Sequence, residues 1–331
     1  MNDGRVVITG GSGFVGTNLV EYLSQCGWEV QNFDVASPRN SDHLQYWTKV
    51  DILNRKQLIA ETQKFQPTVF LHFAARTDLD EKQNLAGYTA NIEGVSNVVE
   101  AIRSTHAIQR AIFASSQLVC ELGYQPQNEY DYRPSTLYGQ SKVITERIVR
   151  TAENFNVIWT IVRPTSLWGP WFDVPYKNFF LTIARNLYVH PGTVHTLKQW
   201  GFVGNSVFQV YRLIEAPPEK VKKRTFYLAD YQPIELRDFA DKVQAVVGAK
   251  PIKTIPSPLL RIAALLGDLG SKIGWANPPL TSFRYSNMVA METQDLRQLQ
   301  EVIGPLPYSI DQGIEITVQW LRQHDKRIRA N

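Results

Sequence analysis

Thr9-Gly-Gly-Ser-Gly-Phe-Val-Gly16 is the stretch that most narrows what this chain can become. It follows Arg5-Val-Val-Ile-Thr9, a continuous apolar run, and precedes residues 14–26, in which Phe14, Leu19, Val20 and Leu23 recur at helical spacing. A strand that turns directly into a helix through glycines 10, 13 and 16 has a defined use. Gly10 permits the tight turn, Gly13 lets backbone approach a pyrophosphate, and Gly16 lets the helix lie close to the sheet. The helix N-terminus then offers N–H groups and partial positive charge to an anion. Gly10, Gly13, Phe14, Val15 and Gly16 are therefore expected against a dinucleotide.

Strand and helix keep alternating after this turn. A strand over 29–33 ends at Asp34 and another ends at Val50. A helix over 55–65, a buried strand over 68–73, a helix over 91–104, a strand over 110–114, a helix over 138–151 and a strand over 157–162 follow. Such a series predicts an α/β fold with a doubly wound parallel (Rossmann) sheet. After Arg163-Pro164 the texture changes, with Gly169-Pro170, Pro191-Gly192 and Pro217-Pro218 separating shorter elements. The expected division is an NAD-binding domain over 1–164 and a smaller C-terminal α/β substrate lobe over 165–331, part of 200–230 packing back on the first. Ser309-Ile-Asp-Gln312 has capping-box spacing and opens a last helix.

The formal charge of +4, from 35 basic and 31 acidic residues, gives no large field for nucleic acid, and the run Lys220, Lys222, Lys223, Arg224 reads as a solvated face. Cys26 and Cys120 are too few for a disulfide framework and lie in no metal-binding spacing, so no metal is expected. Pro256, Pro258, Arg261, Asp268 and Lys272 interrupt the longest apolar stretch, 255–273, which excludes a membrane span there. With the first strand starting at Arg5, no signal peptide is expected, and the location is expected to be cytoplasmic without a membrane partner.

Asp34 closes the second strand about 20 residues after the glycines, where a carboxylate accepts both ribose hydroxyls and repels a 2′-phosphate. NAD is thereby favoured over NADP, although Arg39 stands near enough in sequence to accommodate an extra phosphate. Asp51 and Ile52, after the third strand, are placed for the adenine edge; an aspartate there is equally a helix N-cap.

Tyr138 and Lys142, in Tyr-Gly-Gln-Ser-Lys, lie four apart and share a helix face. A tyrosine titrating near 10 needs about three units of depression, roughly 4 kcal/mol, to act as a base at neutral pH. One cation at about 4 Å supplies a similar amount at an effective dielectric near 20. The pair therefore points to proton abstraction from a hydroxyl whose carbon is oxidised.

Taken with His72-Phe-Ala-Ala75, Tyr88-x-x-Asn91-x-x-Gly94, Ser115-Ser116 and Arg163-Pro-x-x-x-Trp-Gly-Pro170, these motifs match in order and spacing. Over nearly its whole length the chain resembles the extended short-chain dehydrogenase/reductase family, in its NAD-dependent epimerase/dehydratase branch acting on nucleotide sugars. The resemblance implies that Ala74 and Ala75 line the cofactor's path and that Asn91 sits behind the site. It also implies that Ser116, Tyr138 and Lys142 are catalytic, the lysine also holding the nicotinamide ribose. For His72 and Asn91, satisfied packing on a strand and a helix is favoured over a chemical role. Lys198, in Lys-Gln-Trp-Gly-Phe-Val-Gly-Asn205, stands where relatives place an arginine on the nucleotide's phosphates. Asn178 resembles their sugar-diphosphate contact, or is a cap. The tail Pro279 to Met288 is similar to members from surface-polysaccharide biosynthesis, and Arg284 in it faces either substrate or solvent.

Departures from the pattern matter as well. Val119-Cys-Glu121 replaces the usual Val-Tyr-Gly, altering the wall near Ser116. Gln117 and Leu118 stand where 4,6-dehydratases carry an acid pair, and neither can protonate a leaving hydroxyl, so a dehydratase is disfavoured. The implied activity is an NAD-dependent nucleotide-sugar epimerase, expected as a homodimer. The alternative is a net oxidoreductase, a keto-sugar reductase or a hydroxysteroid-type dehydrogenase, for which the apolar helix 259–266 suits an oily substrate.

Overall fold

The first strand, β1 (Arg5–Thr9), serves two layers at once: Val6 and Ile8 enter one hydrophobic core, and Val7 between them enters the other. The computed structural model describes residues 4–173, 175–192, 195–275, 278 and 280–328; Met1–Asp3 and Pro279, the head of the tail motif, lie outside them. After β1 come α1 (Phe14–Gln25), β2 (Glu29–Asp34), β3 (Trp47–Lys49), α2 (Arg55–Phe65), β4 (Val69–His72), α3 (Thr89–Arg103), β5 (Arg110–Ala114), α4 (Leu137–Thr151) and β6 (Ile158–Pro164).

Beyond β6 the chain forms β7 (Leu167–Trp168), α5 (Tyr176–Ala184), β8 (Val189–Pro191), β9 (Leu197–Lys198), β10 (Gly201–Phe202), α6 (Val203–Glu215), α7 (Pro218–Val221) and β11 (Arg224–Leu228). It closes with β12 (Ile234–Glu235), α8 (Leu236–Val247), β13 (Lys253–Ile255), α9 (Ser257–Lys272), α10 (Ser282–Val289), α11 (Arg297–Ile303) and α12 (Ile310–His324).

Seven strands form one sheet in the order β11-β6-β5-β4-β1-β2-β3, and every pairing in it is parallel. The chain leaves β3 at one edge and returns on the far side of β1 as β4, which opens a crevice at the carboxyl ends of β1 and its neighbours. β11 comes back from the second half of the chain to pair with β6, Arg224 opposite Thr160 through Leu228 opposite Pro164. One core holds Leu19, Leu23, Trp168, Phe180, Phe239, Ile314 and Leu321 together, so both halves of the chain share it.

Two ends show how locally the sequence directs this. The Thr136 side chain accepts the Gly139 N–H at 3.0 Å and starts α4. At α12, Ser309 and Gln312 exchange side-chain and backbone bonds in a full capping box. Trp168 and Phe172 are buried among Phe180, Phe202, Phe239 and Trp320, while Trp171 stands edge-on to Trp320 and His324; these aromatics pack the core and lobe rather than a ligand.

Candidate active site

The glycine turn has the geometry a coenzyme pyrophosphate needs. Gly10 has φ +77°, and a Cβ there would meet the Ala74 backbone nitrogen at 2.5 Å. A Cβ on Gly16 would sit 2.0 Å from the Gly10 carbonyl oxygen, so the close approach of α1 to the turn requires glycine. Gly13 caps α1 without a side-chain bond, leaving the first-turn N–H groups for an anion. Phe14 and Val15 open the helix half-buried, Phe14 against the Phe172 ring at 6.3 Å.

Asp34 is fixed at the end of β2 by the Ser12 N–H at 3.0 Å and the Ala36 N–H at 2.9 Å, one on each carboxylate oxygen. Each oxygen keeps lone pairs for a ribose hydroxyl. Arg39 donates to the Trp171 carbonyl at 2.9 Å and lies 3.6 Å from Asp173, so that guanidinium is engaged across the cleft. Asp51 is exposed and accepts the Leu53 N–H at 2.9 Å, while Asn54 is the cap of α2; Ile52 is buried, its Cδ1 2.5 Å from where a Cβ on Gly94 would lie.

Ala74 and Ala75 follow β4 at the same sheet edge. Asn91 is fully buried and returns to that segment: its Oδ1 accepts the Arg76 N–H at 2.8 Å, and its Nδ2 donates to the Arg76 carbonyl and to Ser141 Oγ, each at 2.9 Å. It stitches the post-β4 loop to α4, which is a positioning task. His72 Nδ1 pairs with Thr9 Oγ1 at 2.8 Å, and burial with the nearby Lys142 charge pushes the imidazole down to about 3. It is a neutral packing histidine.

Tyr138 and Lys142 lie on the buried face of α4. Gly139 brings that helix against the loop after β5, since a Cβ there would meet the Leu118 carbonyl oxygen at 2.1 Å. Ser116 accepts the Leu118 N–H at 3.1 Å and lies near enough to the Tyr138 phenol to act on it, while the Tyr88 ring lies 6.0 Å from the Tyr138 ring. Burial pushes Tyr138 up to about 12, with nearby Ser116 lowering it and Tyr88 adding to the rise. Lys142 donates to the Ala114 carbonyl at 2.9 Å rather than to the phenol, and burial, opposed by Glu146, pulls it down to about 8. Burial therefore works against the depression that one lysine is expected to supply.

Glu146, one turn beyond Lys142, anchors this face. Ser115 Oγ donates to it at 2.7 Å, Tyr132 at 2.9 Å, and Arg163 from β6 at 2.8 and 2.9 Å. Burial pushes its carboxyl up, but Arg163 with the Ser115 and Tyr132 hydroxyls outweighs that and holds it below the usual range. The pair was not singled out from the sequence, although a glutamate on the apolar stripe that carries Tyr138 and Lys142 marks a buried partner elsewhere.

The expected substrate residues fare unequally. Lys198 is buried, and its ammonium donates to the Asn287 and Ala290 carbonyls, each at 2.7 Å, and to Glu292 at 2.6 Å. Three donors satisfied by protein leave none for a diphosphate, which corrects that expectation. Glu292 also accepts from Ser166 at 3.2 Å, and Ser166 accepts from Tyr176 at 2.5 Å and from Gln117 at 3.4 Å, so the network runs to the residue after Ser116. No local signal marks Glu292, because its partner is 94 residues away. Asn178 is exposed in the first turn of α5, whose cap is Pro175, so the cap alternative falls. Arg284 is exposed on α10 and donates to the Pro278 carbonyl at 2.6 Å. In the departure segment, Glu121 pairs with Arg133 at 2.8 Å and Cys120 donates to the Asp131 carbonyl at 3.3 Å, closing the wall beside Ser116 with protein contacts. Among the described residues no group of His, Cys, Asp or Glu is arranged to hold a metal, and no helix is long and apolar enough to cross a membrane.

Comparison with known proteins agrees with this fold. A 3-beta-hydroxysteroid dehydrogenase of Mycolicibacterium neoaurum is 28% identical over 263 residues, 75% of this chain and 71% of that protein. An N-acetyl-alpha-D-glucosaminyl-diphospho-ditrans,octacis-undecaprenol 4-epimerase of Escherichia coli O157:H7 is 26% identical over 333 residues, 99% of this chain and 98% of its own length. In fold, the chain is similar to the UDP-glucose 4-epimerase of Thermotoga maritima solved with UDP-glucose, with a TM-score of 0.75 at 18% identity over 97% of this chain and 99% of that one. The UDP-glucuronic acid 4-epimerase of Bacillus cereus, solved with NAD, superposes with a TM-score of 0.73 at 16% identity over 97% of this chain and all of that one (100%). Residues 6–229 match the model of the NAD dependent epimerase/dehydratase family, and the chain therefore belongs to the NAD-dependent epimerase/dehydratase family.

Proposed function

We propose that this chain is an NAD-dependent nucleotide-sugar epimerase that works by transient oxidation of a sugar hydroxyl, with Tyr138 as base. The packing of α4, with Tyr138 and Lys142 on its buried face, against the Ser116 loop through Gly139, beside a glycine cradle suited to the coenzyme, carries the reading. Gly10, Gly13, Gly16 and the start of α1 hold the pyrophosphate, and Asp34 holds the adenosine ribose. NAD, when bound, supplies a reversible hydride acceptor and a positive charge that adds to that of Lys142.

Ser116 fixes the substrate hydroxyl, and Tyr138 takes its proton as the carbinol carbon is oxidised, then returns it after the sugar has turned over. Lys142 keeps two N–H donors beyond its bond to Ala114, enough to hold a ribose hydroxyl while stabilising the phenolate. Asn178 and Arg284 are the proposed polar contacts to substrate. The chain is further proposed to pair as a homodimer through α3 and α4, which sedimentation equilibrium tests.

Tyr138→Phe should lower turnover by about 10²–10⁴-fold while NAD still binds, since only the proton carrier is lost. The assay is a panel of UDP-, GDP-, CDP- and dTDP-sugars, with isomers separated by chromatography and NADH absorbance followed. An epimerase forms isomers without net NADH; turnover undiminished in the variant would refute the role of Tyr138. The second reading, a net oxidoreductase of an apolar alcohol, is supported by the hydroxysteroid dehydrogenase likeness at 28% identity, and stoichiometric NADH formation would select it.

A further inference from the structure

Helix α9 is amphipathic the wrong way round for a soluble surface. Its inward residues are Leu260, Ala264, Gly267 and Gly270, and a Cβ on Gly267 would lie 1.8 Å from the Leu280 carbonyl oxygen, so the small side is pressed against the body. Its large residues point out: Leu259, Ile262, Leu265, Leu266, Leu269 and Ile273 are each 55–80% exposed. At 100° per residue they share the face opposite the buried one. Trp275, 52% exposed, follows directly. Scattered exposed leucines need no explanation, whereas a continuous apolar face does.

The charge of the segment that carries this face says what covers it. Residues 250–289 carry five basic side chains and one acidic, which is the whole +4 excess of the chain. The single acid, Asp268, accepts the Ser282 N–H at 3.0 Å and ties α9 to α10. Arg261 and Lys272 are exposed and border the leucine face. A helix about 24 Å long, with leucines outward, cations at the border and a tryptophan at its end, has the parts of one that lies in a lipid interface. A two-fold contact with a second copy would bring Arg261 and Lys272 towards their equivalents, which like charge opposes.

We propose that the outward face of α9 docks this protein on anionic lipid membrane surfaces, the leucines entering the acyl boundary and the cations meeting the headgroups. This revises the expectation of no membrane partner, which rested on the lack of a spanning stretch. It depends on no part of the catalytic reading. The docked hairpin is tied to the site region, because Lys198 bonds the Asn287 and Ala290 carbonyls at the end of α10.

The test is flotation of the full chain with vesicles of phosphatidylcholine alone and of phosphatidylcholine mixed with phosphatidylglycerol. The wild type should float at least about tenfold more with the anionic vesicles at low salt, and less as salt rises. Leu265→Glu with Leu269→Glu, both at exposed positions, should abolish flotation with circular dichroism unchanged. Arg261→Ala with Lys272→Ala should weaken it several-fold on anionic vesicles and decides the matter if the first variant misfolds. A wild type that stays at the bottom with both vesicle types overturns the proposal, as do variants that float like the wild type. Conversion of an oligomer to monomer by the leucine variant, with no flotation of the wild type, overturns it too and makes the face a self-contact.

Discussion

Two single residues show how steric and electrostatic detail set what the site can do. Gly139 exists so that α4 can touch the Ser116 loop; a methyl there meets the Leu118 carbonyl oxygen. Gly139→Ala should therefore part Ser116 from Tyr138 and cut turnover at least about tenfold with little loss of NAD affinity, as kcat and NAD titration will read separately. His72 controls stability in acid. In the unfolded chain its imidazole protonates near 6.5, in the fold only near 3, so the unfolded state binds the extra proton between these values. Stability should fall as pH drops from 6.5 towards 3, and His72→Gln should lose less between pH 7 and pH 4 in urea unfolding. Equal losses in both would show that another group is responsible. At this scale the sequence was readable wherever chemistry is local: the glycine turn, Asp34, Ser116 and Tyr138 could be picked out by type and position. The sign of the Tyr138 shift could not, because it depends on burial by residues distant in the chain.

Among elements, α4 carries the most consequence. Its inner face presents Tyr138, Lys142 and Glu146 at successive turns, and Glu146 reaches Arg163 on β6. Breaking a buried pair strands the other charge, so Glu146→Ala should cost about 3–5 kcal/mol in urea unfolding, and joint replacement with Arg163→Met considerably less. A cost below about 1 kcal/mol for Glu146→Ala alone would mean that the clamp is slack. Helix and strand boundaries followed from periodicity because each repeat is a property of its own residues, as at α2, read as 55–65 and found as Arg55–Phe65. Lys198 was misread for the opposite reason. Its partners Asn287, Ala290 and Glu292 arrive from α10 and beyond, and no pattern near residue 198 announces them.

Across the whole molecule, the two halves are joined by more than a linker. Leu19 and Leu23 of α1 share a core with Trp168, Phe239 and Leu321, Asn18 Nδ2 donates to the Pro170 carbonyl at 3.0 Å, and Arg39 reaches Trp171. Heat should therefore unfold the chain in one transition by calorimetry, with calorimetric and van't Hoff enthalpies equal. Two resolved transitions would make the halves independent. The return of β11 to the edge of β6 has a consequence for biosynthesis. While the protein is being made, β6 is complete at Pro164 but its neighbour ends only at Leu228, so the nascent sheet waits with a bare rim of peptide groups. Ribosome pausing inside that interval should leave sticky, strand-pairing chains, and pausing just past it should not.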